Sequence, residues 1–230
     1  MFDYPAPSVN HACDGCDHLM PRAGVLPRAF YARDALAVAP ALIGLYLVRR
    51  EPRVLRVGRI VETEAYMGPV DLAAHSARGR RTPRTEVMFG APGHAYVYFI
   101  YGVWNCLNVV TSPREVPHAV LLRALEPVEN LEHGTWGPGL LCRSMGIDRT
   151  LNGADLCSRE ALWIERPRAA ARPRIARAAR IGVDYAGDWA RRPWRFFDRD
   201  SPFVSTLSPA ARRRALRERS EAARRRDGSR

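Results

Sequence analysis

The sequence predicts an α+β fold built on a mainly antiparallel sheet. Three observations predict it. Apolar, aromatic and β-branched runs of strand length recur along the chain. Several follow one another directly, and strands adjacent in sequence pair antiparallel because a parallel pair needs a long crossover. Helical signals are few and short. The 230 residues suffice for one large domain or two small ones with a true core.

The elements follow in order. Residues 30–44, "FYARDALAVAPALIG", read as a helix interrupted near Pro40, with Asp34 able to cap its start. "LYLVRR" and "LRVGRIVETEAY" read as strands joined by a short turn. Residues 68–94 are rich in Gly, Pro and Arg and read as a long functional loop with one short helix around 71–76. "HAYVYFIYG", "WNCLNVVTS", "HAVLLRALEP" and "ALWIER" read as strands, and "GPGLLCRSMGI" as a short helix entered through Gly-Pro-Gly. A basic stretch ending in turns, "RPRIARAARIGVDYAG", precedes a last extended segment, "RPWRFFDRDSPFVS". Residues 209–226 read as an Arg/Ala/Glu helix.

The charge is lopsided. Lys and Arg together number 36, and every one of them is arginine, giving a net charge of +12. Residues 209–230 hold nine arginines against Glu218, Glu221 and Asp227, half of that net charge. Such a balance points to a polyanionic partner, nucleic acid or an acidic membrane surface. Without lysine no side chain offers the amine that Schiff-base chemistry needs. No apolar run is long enough to span a membrane, and the N-terminal segment has acids and prolines where a signal peptide has an apolar core, so an intracellular protein is expected. The five cysteines, an odd number, fit free thiols better than a disulfide framework.

Within "RIVETEAYMG", strand alternation places Glu62, Glu64 and Tyr66 on the face of Ile60. A carboxylate at a strand end facing a cleft can serve as a general base, and Glu64 is the first candidate. Set against this is a solvated or ion-paired strand residue. Tyr96 and Tyr98 share a face of their strand, with Tyr101 at the turn before Gly102, either as stacking platforms for bases or as the wet margin of a core strand. Arg123, inside apolar "AVLLRALEP", must find a carboxylate such as Glu64 or Glu126, and beside Glu64 it favours the ionised form. Asn108 in "CLNVV" needs a hydrogen-bond partner. His75, taken alone, reads as a surface or supporting histidine. "HACDGCDH", residues 11–18, has ligand types that suit zinc but lacks a second ligand pair at finger spacing, so no metal is expected. "GTWGPGLL" offers backbone N–H groups at a helix start to a phosphate, a common and weak signal.

Together "GRIVETEAYMGPVDLAAHS", "TPRTEVMFGAPGHAYVYFIYGVWNCLNVV", "AVLLRALEP" and "GPGLLCRSMGI" resemble the alkyladenine (3-methyladenine) DNA glycosylase family, in the family's order. The resemblance implies one glycosylase domain over residues 26–207; it does not extend to residues 1–25, which are rich in Pro, Asp and His without hydrophobic period and read as a disordered leader, or to 208–230, a basic tail. It implies a curved sheet with surrounding helices, similar to the C-terminal domain of methionyl-tRNA formyltransferase, and a hairpin that inserts into DNA. The implied activity is hydrolysis of the N-glycosidic bond of alkylated or deaminated purines, flipped out of duplex DNA. The implied partner is double-stranded DNA with a damaged purine, bound by a monomer without any cofactor. Carried onto this chain, the motif makes Glu64 the general base, with Arg123 holding the water and the glutamate. Tyr66, His75 and Tyr98 hold the flipped base, Asn108 disfavours the 2-amino group of guanine, and Tyr101 wedges into the minor groove. Arg80, Thr82 and Arg84 match the DNA-contacting loop, and Arg143 stands near a backbone contact. The chain departs from the pattern at Leu140, where a lysine is common, at Val103 beside the wedge, and at Asp198, where an apolar residue often edges the pocket. The rival reading is a binding module of the same fold without catalysis, from which the set of Glu64, Arg123 and Asn108 distinguishes an enzyme.

Overall fold

The computed structural model describes residues 22–131, 134–167 and 172–227. The chain runs through β1 (Arg22–Val25), α1 (Arg28–Tyr31), α2 (Ala35–Leu42), β2 (Tyr46–Arg50), β3 (Leu55–Tyr66), β4 (Ala95–Ile100), β5 (Trp104–Thr111) and β6 (His118–Glu129). It continues through α3 (Pro138–Met145), β7 (Leu162–Pro167), β8 (Ile175–Ala178), β9 (Arg195–Asp198) and α4 (Pro209–Asp227). Every pairing between these strands is antiparallel, in the order β1-β7-β2-β3-β6-β5-β4. The sheet branches at β3. Its first half pairs with β2, and at Glu62–Glu64 β9 replaces β2 along that edge, with β8 outside β9.

The helical region read over 30–44 is two helices. Asp34 sits between them, and its side chain accepts the N–H of Leu36 at 2.7 Å, capping α2. Pro40 lies inside α2 without ending it. In α3 the expected signals hold: Pro138 occupies the first turn, and Gly146 closes the helix in the left-handed conformation, φ 64°. Val38, Ala39 and Leu42 of α2, with Leu141, Cys142 and Met145 of α3, join Ile60, Leu107, Val120, Leu122 and Leu125 of the sheet in one buried core. Burial of that order contributes about 1.5–3 kcal/mol per large side chain, so this face anchors the fold. The other face carries a smaller cluster of Met88, Phe89, Tyr96, Val110 and Ala119 under the 68–94 loop, and another of Ala73, Val183 and Ala186.

Two expectations change. The 68–94 loop has no helix at 71–76; it makes short 3-10 turns at Gly68–Val70, Ala77–Gly79 and Glu86–Phe89. Asp71 closes the first turn by accepting the N–H groups of Met67 and Ala73, so the segment spends its polar groups on turns. β1 also lies inside the stretch expected to be a leader. It is short and weakly patterned, and it is held by pairing with β7. The remainder of that stretch, including His11–His18, lies outside the described residues. Among the described residues no helix is long and apolar enough to cross a membrane.

Candidate active site

β3 begins as a core strand and ends as the floor of a site. Ile60 packs in the main core, and Ala65 belongs to that same core. Thr63 points the same way, its hydroxyl donating to the carbonyl of Ala39 at 2.9 Å. A strand that shows 60, 63 and 65 on one face must contain an extra residue. The register locates it. Pairing with β6 steps from Ile60↔Leu125 to Glu62↔Ala124, leaving Val61 in surplus, and then to Thr63↔Leu122, leaving Arg123 in surplus. Two offset bulges therefore lie side by side. They turn Glu62, Glu64 and Tyr66 away from the face of Ile60, contrary to simple alternation, and turn Arg123 toward them.

Glu64 is fully buried. The Tyr66 hydroxyl donates to Oε2 at 2.8 Å and the Ile181 N–H to Oε1 at 2.9 Å, with Arg123 Nη1 3.3 Å from Oε1. Burial raises the Glu64 pKa above the ordinary value; Arg123, the Ile181 N–H and the Tyr66 hydroxyl pull it down, and Glu62 pushes it up. The net direction is upward, so burial outweighs the arginine that was expected to keep this group ionised. Arg123 meets Glu62 and Glu64, while Glu126 pairs with Arg59 at 2.5 Å.

Beside Glu64 opens a cavity of about 390 Å³, lined by Tyr66, His75, Tyr98, Asn108 and Arg123 and by the exposed Tyr101. Glu64 sits directly behind it, bonded to two lining residues, Tyr66 and Ile181. The His75 and Tyr98 rings meet edge to face at 4.6 Å, and His75 Nδ1 lies 2.9 Å from the Tyr96 hydroxyl. Burial, with Arg84 and Arg80 nearby, lowers the His75 pKa to about 4, so the ring is neutral at pH 7. The Asn108 amide donates to the carbonyl of Tyr96 at 3.3 Å. Tyr101 tops the β4–β5 hairpin, 83% exposed and at φ 54°, a conformation uncommon for an aromatic residue.

Arg80, Thr82 and Arg84 line a second cavity of about 400 Å³, which shares His75 and Tyr185 with the first. Arg84 stands 5.0 Å over the Tyr98 ring. Arg143 is exposed on α3, outside both cavities, whereas Leu140 lines the first. Asp198 is not at the cavity edge; it is buried and paired with Arg59 at 3.0 Å. Val103 is exposed at the hairpin tip.

Sequence reading missed the wall supplied by residues 180–185. Arg180 forks onto Asp71 at 2.5 and 2.8 Å and also donates to the carbonyls of Ala65 and Trp189. That clamp fixes the next residue, Ile181, whose N–H reaches Glu64. One arginine among many in "ARAARIG" gives no signal, and a backbone donor gives none at all.

Residues 29–202 match the model of the methylpurine-DNA glycosylase family. A protein of Anaeromyxobacter dehalogenans (strain 2CP-C) named "Putative 3-methyladenine DNA glycosylase" is 52% identical over 185 residues, 80% of this chain and 88% of that one. Proteins of the same name from Methanocella arvoryzae and Myxococcus xanthus are 50% and 52% identical, over 80% and 82% of this chain and 98% and 97% of theirs. With three quarters of its length matched to the family and about half of the aligned residues identical to these relatives, the chain belongs to the methylpurine-DNA glycosylase family.

Proposed function

We propose that this DNA glycosylase flips alkylated or deaminated purines, among them 3-methyladenine, 7-methylguanine, hypoxanthine and ethenoadenine, from duplex DNA into the cavity beside Glu64. Glu64 takes a proton from a water that attacks C1′ of the sugar, and the N-glycosidic bond breaks to leave an abasic site. The observation that carries this reading is the buried Glu64–Arg123 pair behind a cavity walled by Tyr66, His75 and Tyr98. An ionised carboxylate offers about four lone-pair sites. Tyr66 and Ile181 use two, and Arg123 approaches loosely, which leaves one for a water. Catalysis then rests on placement of that water and on carboxylate stabilisation of an oxocarbenium-like state.

The remaining residues take roles around this centre. Tyr66, His75 and Tyr98 hold the flipped base by stacking. Asn108 disfavours the exocyclic amine of guanine. Tyr101 fills the gap in the duplex, and its conformation, which costs about 1–2 kcal/mol, is consistent with a residue placed for contact rather than packing. Arg80, Thr82, Arg84 and Arg143 contact the DNA backbone. A cationic lesion such as 3-methyladenine is already a good leaving group. Neutral hypoxanthine must be protonated, and neutral His75 is not a source, so it is the harder substrate. With no lysine, the chain acts through water alone and does not cut the strand. The enzyme works as a monomer, on the protein fold shared with the formyltransferase C-terminal domain.

The test is a single-turnover assay on duplexes holding one hypoxanthine, ethenoadenine or 7-methylguanine, with abasic product revealed by alkali. Release by the wild type and a loss of at least 100-fold in Glu64→Gln are expected. Tight DNA binding without release from any lesion would instead favour a binding module.

A further inference from the structure

Glu62 is fully buried and lines neither of the two cavities described above, yet three hydrogen bonds hold it. Arg195 Nη1 donates to Oε1 at 2.8 Å, the Ser205 hydroxyl donates to Oε1 at 2.9 Å, and the Ser205 N–H donates to Oε2 at 2.7 Å. These bonds fix the charge in place. Arg123 responds to it. Its guanidinium lies between the two carboxylates, Nε 3.6 Å from Glu62 and Nη1 3.3 Å from Glu64, and the buried Nε makes no hydrogen bond. A guanidinium beside one carboxylate closes into a forked pair with two short bonds. Here neither carboxylate receives that fork.

We propose that Glu62 is a positioning residue: by drawing Arg123 toward itself it prevents Arg123 from closing onto Glu64, and so leaves the Glu64 carboxylate open to a water. This inference rests on the reading of Glu64 as the general base. Two of the three hydrogen bonds on Glu62 come from Ser205, outside the stretch that matches the family, which ends at residue 202; the third comes from Arg195, inside it. Ser205 belongs to the segment after β9. The first turn of α4 clamps that segment, because Arg212 donates to the carbonyls of Pro202 at 3.1 Å and Val204 at 3.0 Å. Arg212 also covers the Trp136 ring at 4.5 Å, and Trp136 bridges to Ala124, next to Arg123. The base of the C-terminal helix therefore braces the charge network from two sides.

The groups facing Glu64 are Glu62 and Tyr66 from β3, Arg123 from β6, Tyr98 from β4, and Arg180 with the Ile181 N–H from the segment between β8 and β9. In Glu62→Gln all but one of these charges remain, and Arg123 is free to close onto Glu64. Two results are then expected on a 7-methylguanine duplex under single turnover. The plateau rate falls tenfold or more while DNA affinity stays within twofold. The acid limb of the rate moves to lower pH, because Glu64 gains a tighter cation and loses a neighbouring anion. Ser205→Ala, which removes one of the three hydrogen bonds and keeps the N–H, shifts both in the same direction by less. An unchanged rate and limb in Glu62→Gln overturns the proposal, as does a loss of rate with an unmoved limb. If the wild type releases no base, the glycosylase reading has failed on its own. The ¹³C titration of Glu64 in glutamate-labelled wild type and Glu62→Gln still decides the positioning: a downward shift supports it and a stationary curve overturns it.

Discussion

Glu64 stands under two opposed influences, and their balance sets a pH dependence. Burial raises its pKa, and Glu62 adds to that; Arg123, the Ile181 N–H and the Tyr66 hydroxyl lower it. Burial prevails, and the folded value lies above the ordinary one of about 4.3. A base must be ionised to act. As pH falls through the raised value a proton occupies the carboxylate and the rate drops. The single-turnover rate on 7-methylguanine, whose positive charge removes any need to protonate the leaving group, is therefore expected to show an acid limb above that ordinary value. His75, lowered to about 4, titrates beneath it. A rate that stays flat down to pH 4 would mean that Glu64 is not the group being titrated. Both residues were legible in the sequence, Arg123 because a charge inside an apolar run demands a carboxylate and Glu64 as a carboxylate at the end of a strand, and they meet. The direction of the balance was not legible. It depends on how deeply the pair is buried, and no spacing of residues encodes that.

Elements place these residues more firmly than residues place themselves. Strands β2 to β7 and β9 were legible from their composition, and α3 from its proline and glycine, whereas the short β1 and β8 lay in stretches read as a leader and as a basic segment ending in turns. The facing bulges at Val61 and Arg123 were not, because a bulge is a mismatch between two strands and neither strand alone shows it. The wall at 180–185 was hidden for a similar reason: it is held by a contact across more than a hundred residues, from Arg180 to Asp71. That contact can be tested. Arg180→Met leaves Asp71 buried without its cation and is expected to cost about 3–5 kcal/mol in chemical denaturation. Adding Asp71→Asn removes the stranded charge and should recover most of that loss. Excision should not recover, since Ile181 is still unanchored and its N–H no longer fixes Glu64. If excision returned together with stability, the clamp would be a matter of folding alone.

At the scale of the whole molecule, charge and site are separated. The cavities draw on β3–β6 and the segments that cover them, whereas half of the net charge lies in residues 209–230. The sequence read this stretch as a helix with little apolar content, and α4 is that helix. Its first turn is bound to the domain through Arg212, while Arg213, Arg214 and Arg217 are exposed. A solvated helix would look the same, so the distinction lies in salt. Each phosphate neutralised by an arginine releases counterions and steepens the fall of affinity with salt by about 0.9 in the log–log slope. Deleting residues 213–230 removes eight arginines and three acids but keeps the Arg212 anchor. If α4 lies along the duplex, the truncated chain should bind undamaged DNA more weakly at low salt, with a slope shallower by about 2. Its single-turnover rate at saturating enzyme should remain that of the full chain, since the Glu62 brace is untouched. An unchanged slope would mean that α4 points into solvent and that the phosphate contacts come from the domain itself, with Arg80 and Arg84 the first to substitute.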